Sequence, residues 1–219
     1  MTELSRPAAR FAVVVPVKPP SYGKSRLGVD DEARRDLAAA FALDTLAACL
    51  SSDRVAQVLV ATDDVGFAGE LVALGCVAIP DGVSSDLNGT LRQAAAESRR
   101  RWPGLVPVAL CADLPALRAA DLDAALDHVG PGEAAYVADA AGIGTTLYTA
   151  AHDGFDPRFG PGSALAHEAT GARPIAGDLI TLRRDVDDLD DLRAALALGV
   201  GPRTRQQAGL LAETGLLAD

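Results

Sequence analysis

The run FAVVVPVKPPSYGKSRL, residues 11–27, decides the architecture. Val13, Val14, Val15 and Val17 make a continuous β-branched stretch, and continuous runs suit a strand covered on both faces, as in a parallel sheet sheathed by helices. Pro16 fits only the last turn of such a strand or an edge. Pro19 and Pro20 remove two backbone donors and push their predecessors into extended geometry, so the chain leaves the sheet here as a loop. Lys18, Lys24 and Arg26 therefore follow the carboxyl end of the strand, where open α/β sheets take their ligands. Any one of these cations reads equally well as a solvated loop charge. Three together after a buried first strand point to an anion site.

Outward from this stretch, Asp30, Asp31 and Glu32 start a helix that runs to about Leu50, with Leu43, Leu46 and Leu50 on its sheet-facing side. A second strand over 55–61 ends in the polar turn Thr62-Asp63-Asp64, which also starts the next helix. A short third strand follows over 76–79. The polar loop 80–88 leads, through Asp86 or Asn88 as a cap, into a helix to about Trp102, and a fourth strand covers 106–111. Ala112-Asp113-Leu114-Pro115 then places a carboxylate just past the sheet edge, on the side of Lys18 and Lys24, before a helix to about Val129. Fourfold alternation of strand and helix predicts right-handed crossovers and a mostly parallel sheet with helices on both faces. Residues 134–138 and 143–149 read as a hairpin, 152–162 as a loop, and Ser163 as the cap of a short helix to Thr170. A last strand over 182–186 and a helix from Asp187 or Asp188 to Leu198 complete the chain, apart from a peripheral helical tail over about 203–219.

At 219 residues and 49% apolar, the chain can bury one full core, and a single domain over 1–219 is expected. Twenty basic against thirty acidic residues leave a net charge of −10, a field that repels nucleic acid but tolerates a small phosphorylated ligand accompanied by a metal ion. Cys49, Cys76 and Cys111 are odd in number and far apart, so they read as reduced structural thiols. There is no apolar stretch of signal-peptide or membrane-span length, which makes a cytoplasmic location the expectation.

Asp113 taken alone is a helix cap or turn former. Asp185 and Asp187, two apart on an extended segment, point to one face, where paired carboxylates repel unless a cation or proton joins them. The alternative is that Asp187 caps the next helix while Asp185 pairs with Arg183 or Arg184. Oxygen donors without Cys or His favour magnesium or manganese over zinc. A cationic loop with a carboxylate cluster is a nucleoside triphosphate pattern. Neither GxxxxGK[ST] nor a GxGxxG after the first strand occurs, against P-loop hydrolases and dinucleotide oxidoreductases. His128, His152 and His167 lie in poorly patterned surface segments and read as solvated or structural, and no nucleophile triad is visible.

Five segments in order resemble a known family: VVVPVK with GKSRL, ADLPAL (112–117), GIGTTL (142–147), DPRFGPGSALAH (156–167) and RRDVDDLDDL (183–192). They are similar to the guanylyltransferases of coenzyme F-420 biosynthesis, and nearest to the phosphoenolpyruvate branch. The resemblance implies an α/β, Rossmann-like nucleotidyltransferase of GT-A type, a three-layer sandwich with a mostly parallel central sheet. It implies GTP and Mg2+, with phosphoenolpyruvate, or 2-phospho-L-lactate in the other branch, as acceptor. By the same resemblance Asp113, Asp185 and Asp187 match the metal-binding aspartates, and Thr145, Gly160 and Ser163 match the residues that hold the acceptor. Lys18, Lys24 and Arg26 match the cationic nucleotide loop. Relatives usually have small residues between the two lysines, where this chain has Pro19-Pro20-Ser21-Tyr22-Gly23. Asn88 and the loop before it are candidates for guanine selection. A sugar-phosphate or cytidylyl nucleotidyltransferase, or a non-catalytic nucleotide-binding protein, would share the fold. A homo-oligomer or a contact with the next enzyme of the pathway stays open.

Overall fold

In the computed structural model, which describes residues 10–17, 27–82, 86–213 and 217, the buried run is the sheet's central strand. β1 (Phe11–Pro16) lies between β2 (Val55–Ala61) and β4 (Val106–Leu110), parallel to both, and β3 (Val77–Ile79) extends the β2 side in parallel. Beyond β4 come β6 (Thr145–Thr149), β5 (Ala135–Ala138) and the two-residue β7 (Arg173–Pro174). The order is β3-β2-β1-β4-β6-β5-β7, and β6 alone runs against its neighbours. This is the expected mostly parallel sheet with a hairpin departure.

Alternate residues of each strand feed opposite cores, because successive side chains leave a strand on opposite faces. Val13, Val15, Val58, Val60 and Val108 pack with Leu43 and Leu46 of α1 (Asp31–Leu50) and Leu122 and Leu126 of α4 (Ala119–Asp127). That face also takes Phe67 and Leu71 of α2 (Val65–Leu74). Val14, Leu59, Ala109 and Tyr148 face the other way, onto Leu91 and Ala94 of α3 (Leu87–Arg101) and Ala164 of α5 (Ser163–Ala169). Helices on both faces make three layers, and no helix among the described residues is long and apolar enough to cross a membrane.

The helix starts follow local chemistry. Asp30, Asp64 and Asp86 each accept backbone N–H bonds at the first turns of α1, α2 and α3. Two expectations are corrected. Ser163 is not a cap: it stands one residue inside α5, and the cap position is Gly162, whose φ of 70° is left-handed backbone that suits glycine. The stretch over 182–186 is not a strand, since α6 (Ile180–Arg183) takes up its first half. Leu179 and Leu182, both buried and three apart, form a one-turn helical face, which a short apolar run cannot distinguish from a strand. The last sheet strand is instead β7, where Pro174 tolerates an edge: Arg173 N bonds to Ala134 O just before β5, and Ile175 N to Tyr136 O within it. Cys49 and Cys76 are buried and free, and burial pushes both thiols up, that of Cys76 to about 11.

The chain ends its described course on α1. Leu37 and Phe41 pack with Leu192 and Ala195 of α7 (Leu189–Leu198) and with Leu211 of α8 (Pro202–Glu213). Asp44, its side chain 1% exposed, reaches from α1 to the first turn of α8 and accepts from Thr204 N at 2.8 Å and Arg203 N at 3.3 Å. It caps a helix that begins far away in sequence. Gly201 has to be glycine, since a Cβ there would lie 2.3 Å from the Asp44 Cγ. Replacing Asp44 by Ala strands two amides in a buried place, and a urea melt should show a loss of about 2 kcal/mol, the upper range for a cap. Unchanged stability would mean that the α8 amides find other partners.

Candidate active site

β1 sits between β2 and β4, so the connection after β1 departs to one side and that after β4 to the other. A crevice opens between their carboxyl ends, at the switch point where doubly wound sheets bind ligands. Asp113 enters it three residues past β4. The turn that carries it is pinned by Thr45 of α1, a fully buried hydroxyl that accepts from Leu114 N at 3.0 Å and faces the Ala112 carbonyl at 3.2 Å.

From the other side of the crevice, Val186 N donates to the Asp113 carbonyl at 3.1 Å. Val186 itself is fully buried, so this contact anchors the segment and brings Asp185 and Asp187, its two neighbours, to Asp113. Burial, and then the carboxylates of Asp113, Asp187 and Asp139, push Asp185 up to about 7. The three aspartates picked out in the sequence therefore share one electrostatic environment. Neither arginine before them is spent on Asp185: Arg183 donates to the carbonyls of Ala138 and Ile175, both at 2.9 Å, and Arg184 meets Asp191 at 3.4 Å. Asp188, not Asp187, caps α7. Thr181 anchors the same segment to α4, its N–H and hydroxyl both donating to Asp121.

Among the described residues no three His, Cys, Asp or Glu stand ready as a metal cage. Magnesium does not need one, because it keeps several waters and uses one or two carboxylates together with substrate phosphates. A set of oxygen donors whose members repel one another fits that ion.

Thr145 opens β6 beside the end of β4, where Cys111 N bonds to Thr146 O. Ala164 N donates to Ile143 O and Ser163 N to Gly160 O, so the start of α5 closes over the turn before β6. Thr145, Gly160 and Ser163 are thus assembled on one side of the crevice, next to the carboxylates. Gly160 has φ 140°. Asn88 is a clamp on this assembly: its Nδ2 donates to Phe159 O at 2.9 Å, and its Oδ1 accepts from Phe159 N at 2.8 Å, which fixes the residue before Gly160. Lys18, Lys24 and Arg26 lie outside the described residues. The strand that leads to them ends in the crevice, Val17 N bonding to Ala61 O.

The sequence reading missed what holds these groups. His167, expected in a surface segment, is fully buried between Thr145 Oγ1 at 3.0 Å and Arg158 N at 2.9 Å, and stacks on Tyr148 with ring centroids 4.5 Å apart. Its sequence signals were its place at the end of DPRFGPGSALAH and its spacing of four from Ser163, on the same helical face. Asp139 accepts from Ile143 N and Gly144 N and shapes the turn into β6. Thr45 carries no pattern at all.

The family model described as Guanylyl transferase CofC like matches residues 11–208. A phosphoenolpyruvate guanylyltransferase of Thermomonospora curvata is 48% identical over 89% of this chain and 86% of its own length. One from Streptomyces scabiei is 47% identical over 92% of this chain and 97% of its own. Among solved structures, a nucleotidyl transferase from Methanothermobacter aligns with a TM-score of 0.58 at 19% identity, covering 86% of this chain and 97% of that one, which shows a shared fold.

Burial, and then the nearby Arg158 charge, push His167 down to about 4. The unfolded chain, with its histidine near 6.5, takes up a proton first as pH falls. Stability from this residue is therefore complete above pH 6.5, falls between 6.5 and 4, and is lost below, at a cost of about 3 kcal/mol. Ring-proton NMR should show His167 neutral from pH 8 to 5. A midpoint near 6.5 would place the ring in solvent.

Proposed function

Because the chain belongs to the Guanylyl transferase CofC like family, we propose that it transfers GMP from GTP to phosphoenolpyruvate, forming enolpyruvyl-diphospho-guanosine and pyrophosphate, a step of coenzyme F-420 biosynthesis. The observation that carries the chemistry is the contact of Val186 N with Asp113 O, which gathers three carboxylates at the switch point beside Thr145, Gly160 and Ser163.

The acceptor's phosphate oxygen attacks the α-phosphorus of GTP, and the bond from that phosphorus to the bridging oxygen of the β-phosphate breaks. A phosphate is already a nucleophile at neutral pH, so no general base is required, and the protein's work is positioning and charge stabilisation. The Thr145 hydroxyl, the Gly160 amide and Ser163 bind the acceptor's phosphate and carboxylate as neutral donors. Lys18, Lys24 and Arg26 neutralise the triphosphate. Asp113, Asp185 and Asp187 would hold Mg2+, and the ion would supply positive charge that lessens repulsion between the two anions and helps pyrophosphate leave. Asp185, pushed up by burial and then by its neighbouring carboxylates, would be held ionised by a cation there.

2-Phospho-L-lactate carries the same phosphate and carboxylate and differs at its third carbon. Discrimination against it rests on the shape of one small group, worth about 1–3 kcal/mol, so preference and not exclusion is expected. With both acids present, mass spectrometry of the product should find the enolpyruvyl compound dominant. A dominant lactyl product would reassign the acceptor, and no guanylated product from either would remove the proposed activity. Asp113→Asn should cut pyrophosphate release by at least about 100-fold, as loss of a group that holds the charge-stabilising ion. Its melting temperature should hold or rise, since one charge that repels Asp185 is gone. Near-normal turnover would return Asp113 to a turn-forming role.

A further inference from the structure

His167 is engaged at both ring nitrogens. Nε2 lies 2.9 Å from the N–H of Arg158, which can only donate, so Nε2 must offer its lone pair and carries no proton. The single proton of the neutral ring is then on Nδ1, 3.0 Å from Thr145 Oγ1. That N–H is offered to Thr145 Oγ1 and to the Ser163 carbonyl, and Thr145 cannot donate to the ring. Its own hydroxyl hydrogen has to point elsewhere, and among the described residues no acceptor faces it. The ring is held in this orientation by aromatic neighbours: Tyr148 and Tyr136 lie near-parallel to it at centroid distances of 4.5 and 5.8 Å, and Phe159 stands edge-on at 5.4 Å. The same Nε2 contact ties Arg158, and with it Phe159 and Gly160, to the base of the pocket.

A threonine hydroxyl left to itself rotates, and in some of its positions it turns lone pairs toward a bound anion, which repel it. We propose that His167 is a positioning residue for the acceptor: its Nδ1–H occupies the Thr145 oxygen and so commits the Thr145 hydroxyl to donate to the acceptor's anionic group. This rests on the assignment of Thr145 to the acceptor. The backbone of Arg158 sets the tautomer, the tautomer sets the direction of the hydroxyl, and the hydroxyl selects an anion. The signal is carried by two hydrogen bonds and needs no change in charge.

Two substitutions separate this role from packing. Gln places an acceptor near the Nε2 position and loses the donor to Thr145, whereas Asn keeps a donor near the Nδ1 position and loses the contact to Arg158. With the full chain, GTP and phosphoenolpyruvate, His167→Gln should raise KM for phosphoenolpyruvate about tenfold while KM for GTP stays within about twofold, the scale of one hydrogen bond to a charged ligand. His167→Asn should raise it at least about threefold less than His167→Gln does. Equal losses in both variants, or a matching rise in KM for GTP, would leave His167 a packing residue and overturn the proposal. Thr145→Val supplies the control: if it raises KM for phosphoenolpyruvate and His167→Gln does not, the proposal alone fails. If Thr145→Val leaves that KM unaltered, the acceptor assignment fails and takes the proposal with it. Should the substituted proteins not fold, long-range nitrogen–proton NMR on the parent with 15N-labelled histidine reads the tautomer directly. The Nδ1–H form is expected at neutral pH, and an Nε2–H form would overturn the proposal.

Discussion

The site depends on a topological constraint: two adjacent parallel strands, β1 and β4, send their connections to opposite sides. The chain after β1 goes back to β2 and the chain after β4 goes on toward β5, so no crossover covers the edge between β1 and β4. The described residues proposed for chemistry lie toward that edge. Asp113 follows β4, Thr145 opens β6 at this end because that strand runs against its neighbours, and β1 is followed by Val17.

Holding acids together in such a place costs free energy, and the structure meets that cost with groups that take no part in the reaction. Thr45 fixes the turn of Asp113, Val186 hangs its segment on the same turn, and Asp121 holds Thr181 just before it. None of these contacts is strong alone, at roughly 1 kcal/mol each. Together they hold Asp185 where burial, and then the neighbouring carboxylates, raise its proton affinity. The acceptor side is built on the same plan, with Asn88 and His167 each binding backbone of the segment that carries Gly160.

The strands of the parallel half were legible because their signal is local: Val13 to Val15 are apolar without a break, and the run Val55–Ala61 is interrupted only by Gln57. Aspartate caps were legible for the same reason, and Asp30, Asp64 and Asp86 stand where expected. The region over 182–186 was misread because Leu182 and Val186 are buried by tertiary contacts, and a run of five residues does not carry a helical period. Asp113, Asp185 and Asp187 could be picked out through their motifs, but nothing in their spacing says that one backbone hydrogen bond joins segments so far apart. His167 was invisible for a related reason: its importance lies in partners nine and twenty-two positions away.

α1 serves two distant parts of the chain from adjacent residues, Thr45 turned to the Asp113 turn and Asp44 to the start of α8, while Gly201 N bonds to Pro115 O between them. Synthesis is vectorial, and 160 residues separate Asp44 from the Thr204 amide it caps. A ribosome that has delivered α1, and even the whole of β4, has not yet delivered the amides that solvate this buried acid or the Arg203 guanidinium 3.8 Å from it. Until it does, α1 carries a charge with no seat beside the threonine that shapes the active-site turn. The seat of this acid is therefore completed late in the life of the nascent chain, after every strand of the sheet has been made.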